Sequence, residues 1–326
     1  MKREIVLGVL VTIGTLLTTA AGLHGRGQGV GQQAPKLAEI EKVRDNLFLL
    51  HGLDRGTRLN STVFIARSGV VVVDTGFPGW GQTWLTAIKS LTDKPVTTII
   101  STHTHSDHTG SNGEFGSNLT FVAHENTKAN LARDTCTATG GCADFHGDKA
   151  RYLPNKVFKD RLSLFGGKDQ IDLYYFGAGH TGGDAVVVFP ALRAAATGDL
   201  FAWRGVPRVM PEDGGSVLQF PETLARAHKS VKGVDTLITG HSKVVAWKDW
   251  LEYREFLSEF VAQVRAAHKA GKTVDEALAG LRMPDKYNVC DPKVTATTEL
   301  RADADCAYRL DQAKADAQII FEEIGK

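Results

Sequence analysis

The sequence predicts an α/β protein with an added block of helices at its C-terminal end. Three observations lead there. Short apolar, β-branched runs alternate with stretches of helical period across residues 46–239. The order of strands and helices is roughly duplicated between two halves, without a repeat at the level of residues. Residues of metal-ligand type stand just past the ends of apolar runs, where open α/β folds place their sites.

Residues 46–50, 61–66 and 69–74 read as three strands separated by turns. Residues 80–91 are amphipathic and helical. Residues 95–100 are apolar and β-branched, as in a strand covered on both faces. A strand is expected over 120–123 and a helix over 124–133. Residues 134–155 contain glycine and run long for a loop, a common mark of function. Strands are expected over 168–176, 184–189 and 193–197, a helix over 221–231 with Pro221 at a tolerated first position, and a strand over 236–239. From Ala246 the chain is nearly all helical, ending in a helix over 313–324. Phe256, Phe260, Val261 and Val264 form a helical stripe that reads as packing.

The 326 residues can bury a large core, in one big domain or two small ones. Basic residues number 38 and acidic residues 37, which removes any general electrostatic case for nucleic acid or an anionic membrane surface. Lys2 and Arg3 precede an uncharged stretch from Ile5 to Leu17, then the small residues Thr19, Ala20 and Ala21. Residues 1–21 therefore read as a signal peptide. The apolar run is shorter than the about 20 residues a spanning helix needs. No stable membrane span is expected after cleavage, and the mature protein is expected to be periplasmic or secreted. Residues 22–35, rich in Gly and Gln, read as a flexible lead-in. Cys136 with Cys142 and Cys290 with Cys306 are plausible disulfides in an exported chain, although four cysteines allow three connectivities.

The chemistry concentrates in Thr102-His103-Thr104-His105-Ser106-Asp107-His108-Thr109-Gly110. His103 and His105, two apart on an extended exit from a strand, lean to the same side and can grip one ion. Asp107 and His108 can address a second position close by. Imidazole nitrogen with carboxylate oxygen suits zinc, and iron, manganese and nickel accept similar sets. Gly179-His180-Thr181-Gly182-Gly183, Thr197-Gly198-Asp199 and Thr239-Gly240-His241-Ser242 each follow a strand. Each sets glycine beside a ligand type, which lets the backbone turn sharply and approach closely.

These motifs, with Val73-Asp74-Thr75-Gly76 before them, resemble in order those of the metallo-β-lactamase-fold superfamily, and they span Asp74 to His241. The resemblance implies a four-layer αβ/βα sandwich with extra C-terminal helices. It makes residues 36–245 the catalytic domain and 246–326 a helical extension packed on it. It implies that His103, His105 and His180 hold one ion, that Asp107, His108 and His241 hold a second, and that Asp199 bridges them. Asp74 would order the motif loop by hydrogen bonds behind the ligands. The cofactors implied are two divalent ions, zinc first, with iron or manganese as alternatives. Among relatives, true β-lactamases usually carry cysteine or serine near the position of Asp199. An aspartate there resembles the glyoxalase II, lactonase and phosphodiesterase branches.

The activity implied is hydrolysis of a small-molecule ester, thioester, lactone or cyclic amide by a metal-bridged hydroxide. Asp107 would orient the nucleophile and pass a proton. Two other classes stand beside it: a mononuclear iron redox enzyme of the persulfide dioxygenase type, and a non-enzymatic module that keeps its metals for stability. Substrate contacts are sought at Lys243, two residues past His241, and at Trp80, after the Asp74 strand. Trp84 reads as helix core, and Trp203, Arg204 and Arg208 as rim. His51, His124, His146, His228 and His268 are not expected to bind metal.

Overall fold

Strand period explains why this chain folds in layers. In β4 (Gly69–Val73) every residue is buried. Val71 and Val73 join an apolar cluster with Leu47, Leu49 and Phe64. Val70 and Val72, pointing the other way, join Trp80, Trp84 and Ile88. β10 (Ala185–Phe189) behaves alike: Ala185, Val187 and Phe189 enter the first cluster, whereas Val186 and Val188 pack among helical side chains. Two sheets therefore face each other across one shared core, and each has its outer face covered by helices. Fully burying one such valine or leucine contributes ~1.5–3 kcal/mol relative to exposure.

The structure is a computed structural model that describes residues 36–54, 57–133, 145–287 and 302–325. The expected leader and lead-in lie outside the described residues. So do Cys136, Cys142 and Cys290, on which both expected disulfides depend.

The first sheet runs in chain order: β1 (Lys36–Arg44), β2 (Leu47–Asp54), β3 (Thr57–Ala66), β4, β5 (Val96–Ile100), β6 (Thr120–His124) and β7 (Lys156–Phe158). It is antiparallel through β4 and parallel from β4 to β7. The second comprises β8 (Arg161–Leu164), β9 (Ile171–Tyr175), β10, β11 (Ala194–Ala196), β12 (Thr236–Ile238) and β13 (Val245–Ala246), in the spatial order β13-β12-β11-β10-β9-β8. Its one parallel pair is β11 with β12. The helices are α1 (Gly81–Leu91), α2 (Ser106–Thr109), α3 (Glu125–Leu131), α4 (Phe220–Ser230), α5 (Lys248–Lys269), α6 (Val274–Ala279) and α7 (Ala302–Ile324).

α1 covers the outer face of the first sheet through Trp84, Ala87 and Ile88. Leu224 of α4, Trp250, Tyr253, Phe256 and Phe260 of α5, and Ala313, Ala317 and Ile320 of α7 cover the second. The result is an α/β sandwich with added C-terminal helices, as expected. Strands β1, β7, β8 and β13 were not expected from the sequence. Among the described residues, no helix is long and apolar enough to cross a membrane.

Candidate metal centre

The turns that follow β4, β5, β9, β11 and β12 meet along one edge of the sandwich. At the end of β4, Asp74 takes a left-handed backbone conformation with φ 62°, which is strained for a residue other than glycine. Its carboxylate accepts from Thr102 N at 2.8 Å and Thr102 Oγ1 at 2.7 Å. It also accepts from His108 Nδ1 at 2.9 Å. Asp74 thus ties the turn after β4 to the turn after β5. Trp84 Nε1 donates to Thr75 O at 2.9 Å and holds the same turn from beneath.

Past β5 the chain exits in extended form through His105 and enters the short helix α2, which carries Asp107 and His108. His180 lies in the turn between β9 and β10, Asp199 in the turn after β11, and His241 in the turn after β12. Glycine permits the closest approach: a Cβ on Gly240 would overlap Asp199 Oδ1, and one on Gly198, where φ is 48°, would overlap Thr102.

All seven expected ligands converge. His105 Nδ1 lies 3.2 Å from His103 Nε2 and 2.9 Å from His180 Nε2. His108 Nε2 lies 3.2 Å from His241 Nε2, and Asp107 Oδ2 lies 3.3 Å from His241 Nε2. Asp199 stands between the two groups. Its Oδ2 is 3.5 Å from His180 Nε2, and its Oδ1 is 3.2 Å from His241 Nε2 and 3.5 Å from His108 Nε2. Three overlapping sets can each hold an ion: His103, His105 and His180; His103, His108 and Asp199; Asp107, His108 and His241.

The far side of each imidazole explains the geometry. His103 Nδ1 faces Thr102 Oγ1, His105 Nε2 faces Asp213 Oδ2, and His108 Nδ1 faces Asp74. His180 Nδ1 faces the Arg208 carbonyl and His241 Nδ1 the Arg58 carbonyl. Every ring therefore has one nitrogen tied to oxygen and the other turned into the shared cavity. Metal-binding histidines are held in this way. The inward nitrogens face one another, a poor arrangement for hydrogen bonding alone. Asp199 Oδ1 is buried and makes no hydrogen bond. An orphaned carboxylate oxygen among inward imidazole nitrogens fits a divalent ion.

Electrostatics separate the two triads. Burial, reinforced by neighbouring imidazoles, holds His103 well below its ordinary protonation range and pushes His180 down to about 3. Burial alone would lower His108 too, but Asp107, Asp74 and Asp199 raise it to about 9. His241 is raised well above its usual value in spite of burial, by Asp199 and Asp107. In return His241 and His108 overcome burial and keep both carboxyls below the usual carboxylate range. The second triad is also nearer to solvent: the Asp107 side chain is 20% exposed, whereas His103 as a residue is 0% exposed.

Asp213, which accepts from His105 and pairs with Arg133, escaped the sequence reading. So did Asp184, which accepts from Thr181 N at 2.8 Å and steadies the turn bearing His180. Burial pushes the Asp184 carboxyl up to about 7. Neither belongs to a spacing pattern, because any well-placed carboxylate can do this work. Trp80 does not join the cleft. It is fully buried against Trp84 in the outer core of the first sheet, and its Nε1 donates to Asp54 Oδ2 at 2.9 Å. Lys243 is exposed, two residues beyond His241. Trp203 packs its ring 5.8 Å from that of His241 and is itself buried. His124 caps α3 by accepting from Asn126 N, a structural role as expected.

A sandwich of this topology with a histidine-aspartate cluster at the strand ends defines a class of metal-dependent hydrolases, and similarity to known proteins agrees. The chain matches the model of the metallo-β-lactamase superfamily over residues 55–255, more than half its length, and belongs to that superfamily. It is 26% identical over 267 residues to a metallo-β-lactamase type 2 of Elizabethkingia meningoseptica, covering 77% of this chain and 97% of that protein. Its fold resembles the crystal structure of the DIM-1 metallo-β-lactamase, with a TM-score of 0.56 at 21% identity, covering 69% of this chain and 99% of that one. It also resembles a metallo-β-lactamase from Pontibacter korlensis, with a TM-score of 0.56 at 18% identity, covering 68% and 99%.

Proposed function

We propose that this protein is an exported hydrolase that works with two divalent metal ions, zinc first, on a small ester, thioester, lactone or cyclic amide. The observation that carries the proposal is the pairing of two triads around one aspartate, with each imidazole anchored at its outer nitrogen. His103, His105 and His180 would hold one ion, Asp107, His108 and His241 the other, and Asp199 would offer one oxygen to each. Bound there, the ions supply an acidified water, its pKa lowered from about 16 to about 7, and positive charge for a developing oxyanion.

The chain's own residues do the rest. Asp107 keeps its carboxyl ionised and has the more exposed place, so it can orient the attacking water by accepting a hydrogen bond from it and would pass its proton on toward solvent. Asp74, Asp213 and the Arg208 and Arg58 carbonyls keep the rings from turning as charge builds. Burial of the first triad excludes bulk water from one side of the reacting centre. Lys243 is retained as a candidate for pairing with a substrate carboxylate. Trp80, being core, is withdrawn from that role.

A two-metal hydrolase is favoured over a single-iron redox enzyme because Asp107, His108 and His241 form a second complete set. Metal analysis of the purified chain tests this: two zinc per chain is expected, and one iron per chain would overturn it. A panel of β-lactam, thioester, lactone and phosphodiester substrates then identifies the reaction. N-terminal sequencing of the mature protein tests export, with cleavage expected after about Ala21.

A further inference from the structure

We propose that Asn60, oriented by His51, is a positioning residue for His241 and thereby sets the occupancy of the second metal position. This rests on the two-metal proposal above.

Leu47 and Leu49 of β2 and Phe64 of β3 line the apolar core between the sheets. Two residues past Leu49 and four before Phe64, His51 and Asn60 fall on that same face, where they are direct cross-strand partners. Both are buried, with His51 1% and Asn60 9% exposed. Apolar residues of similar shape would cost no desolvation here and could be equally stable or more so. The polar pair needs another reason.

Its hydrogen bonds supply one. Asn60 Nδ2 donates to Thr239 O at 2.8 Å and to Ser242 O at 2.8 Å. These two carbonyls bracket Gly240 and His241. With both amide protons used on carbonyls, Asn60 Oδ1 faces His51 Nδ1 at 2.9 Å, and His51 Nε2 faces Glu41 Oε2 at 2.9 Å. The flipped amide would set an oxygen against two carbonyls, so these carbonyls select the orientation of Asn60, and a protonated His51 Nδ1 secures it by donating to Oδ1. A second link runs through Arg58. Its carbonyl accepts from His241 Nδ1 at 2.5 Å, and its Nε stands 3.2 Å from His51 Nδ1, to which it donates only in the tautomer that leaves this nitrogen unprotonated, whereas the protonated nitrogen serves Asn60. On its other side the turn is tied to Phe201 and Ala202. Removing Asn60 therefore loosens one side of the turn and leaves it attached. None of these contacts reaches His103, His105 or His180.

The test uses the full chain, stripped of metal and titrated with cobalt(II) and with zinc against a chromophoric chelator. Metal per chain is measured in parallel. Wild type is expected to bind two ions. Asn60→Ala and His51→Leu should weaken the second about 10–100-fold, as loss of an outer partner does, and leave the first unchanged. His51→Gln keeps a donor for Asn60 Oδ1 and should restore most of the loss. Hydrolysis by the variants should recover in excess metal with KM unaltered. If Asn60→Ala and His51→Leu bind both ions as tightly as wild type, or lose both equally, the inference is wrong. A wild-type chain that binds one ion refutes the two-metal proposal itself, and this inference with it.

Discussion

His103, His105 and His180 form an all-imidazole triad, whereas His108 and His241 share theirs with Asp107. The two also rest on different supports. His105 is held by Asp213 and His180 by the Arg208 carbonyl, both on one irregular stretch of chain. That stretch leans on the C-terminal helix, where Val209 N donates to Asp316 Oδ1 at 3.3 Å. His108 and His241 are held instead from the first sheet, by Asp74 after β4 and by Arg58 and Asn60 of β3. A loop-borne triad and a sheet-borne triad should answer to different perturbations.

The largest expected effect comes from the residue common to both. Asp199→Ala should lower the content of both ions and reduce hydrolysis by about 10³-fold or more, since a contribution of several kcal/mol is removed at about 1.4 kcal/mol per decade. His105→Ala should lose activity similarly but deplete only the first ion. Metal content and kcat measured on the same samples separate the two variants. Equal depletion in both would erase the distinction drawn between the triads.

Asp213→Asn should weaken the first ion about 10–100-fold and spare the second, mirroring the Asn60 variants on the other side. A chelator competition on each ion decides it. If the second ion suffers instead, the assignment of supports is reversed.

Acid should distinguish the triads without mutation. In the metal-free chain His108 is raised to about 9 and His241 well above its usual value, so near pH 7 both rings carry protons that an ion must displace. Raising the pH from 6 to 9 weakens that competition, and affinity for the second ion should climb by about tenfold per pH unit for each proton displaced. His103 and His180 are already unprotonated across this range and do not compete, so the first ion should show the smaller change. Isothermal titration in buffers of different ionisation enthalpy counts the released protons; equal release at both positions contradicts the comparison.

The smallest effect lies farthest from the metals. Burial raises the Asp316 carboxyl well above its ordinary value, against the Val209 hydrogen bond and the charge of Arg208 and with that of Glu323. A carboxyl raised on folding favours the native state below its unfolded value near 3.8 and loses that advantage as pH climbs toward the native value. Asp316→Asn should therefore be more stable than wild type at pH 8 by about 1–2 kcal/mol, with the gap closing near pH 4. Thermal melts at both pH values are sufficient, and a pH-independent difference would exclude this origin.

Much of this was legible in the sequence because the residues concerned carry local patterns. β4, β5 and β10 read correctly from short runs rich in β-branched residues, and the ligands from histidine and aspartate set beside glycine after such runs. β1 did not, because register shifts between Leu37 and Glu39 and between Lys42 and Arg44 break its alternation. β7, β8 and β13 are short and partly exposed, with too few residues to display a period. Asp213 and Asn60 were invisible for another reason. Asp213 meets His105 across 108 positions of chain, Asn60 meets the turn bearing His241 across 179 and 182, and only the fold supplies that neighbourhood. Trp80 misled because a tryptophan after a site-bearing strand looks like a cleft wall, yet its ring fills the space above Gly52, where a Cβ would collide with it.

The distribution of ligands along the chain has a consequence for biosynthesis. His103, His105, Asp107 and His108 leave the ribosome early, but their partners His180, Asp199 and His241 emerge only with the second sheet. A growing polypeptide thus offers no complete cage until that sheet has paired with the first. Ion binding should therefore follow the pairing of the two sheets, and metal supplied during refolding should be taken up late.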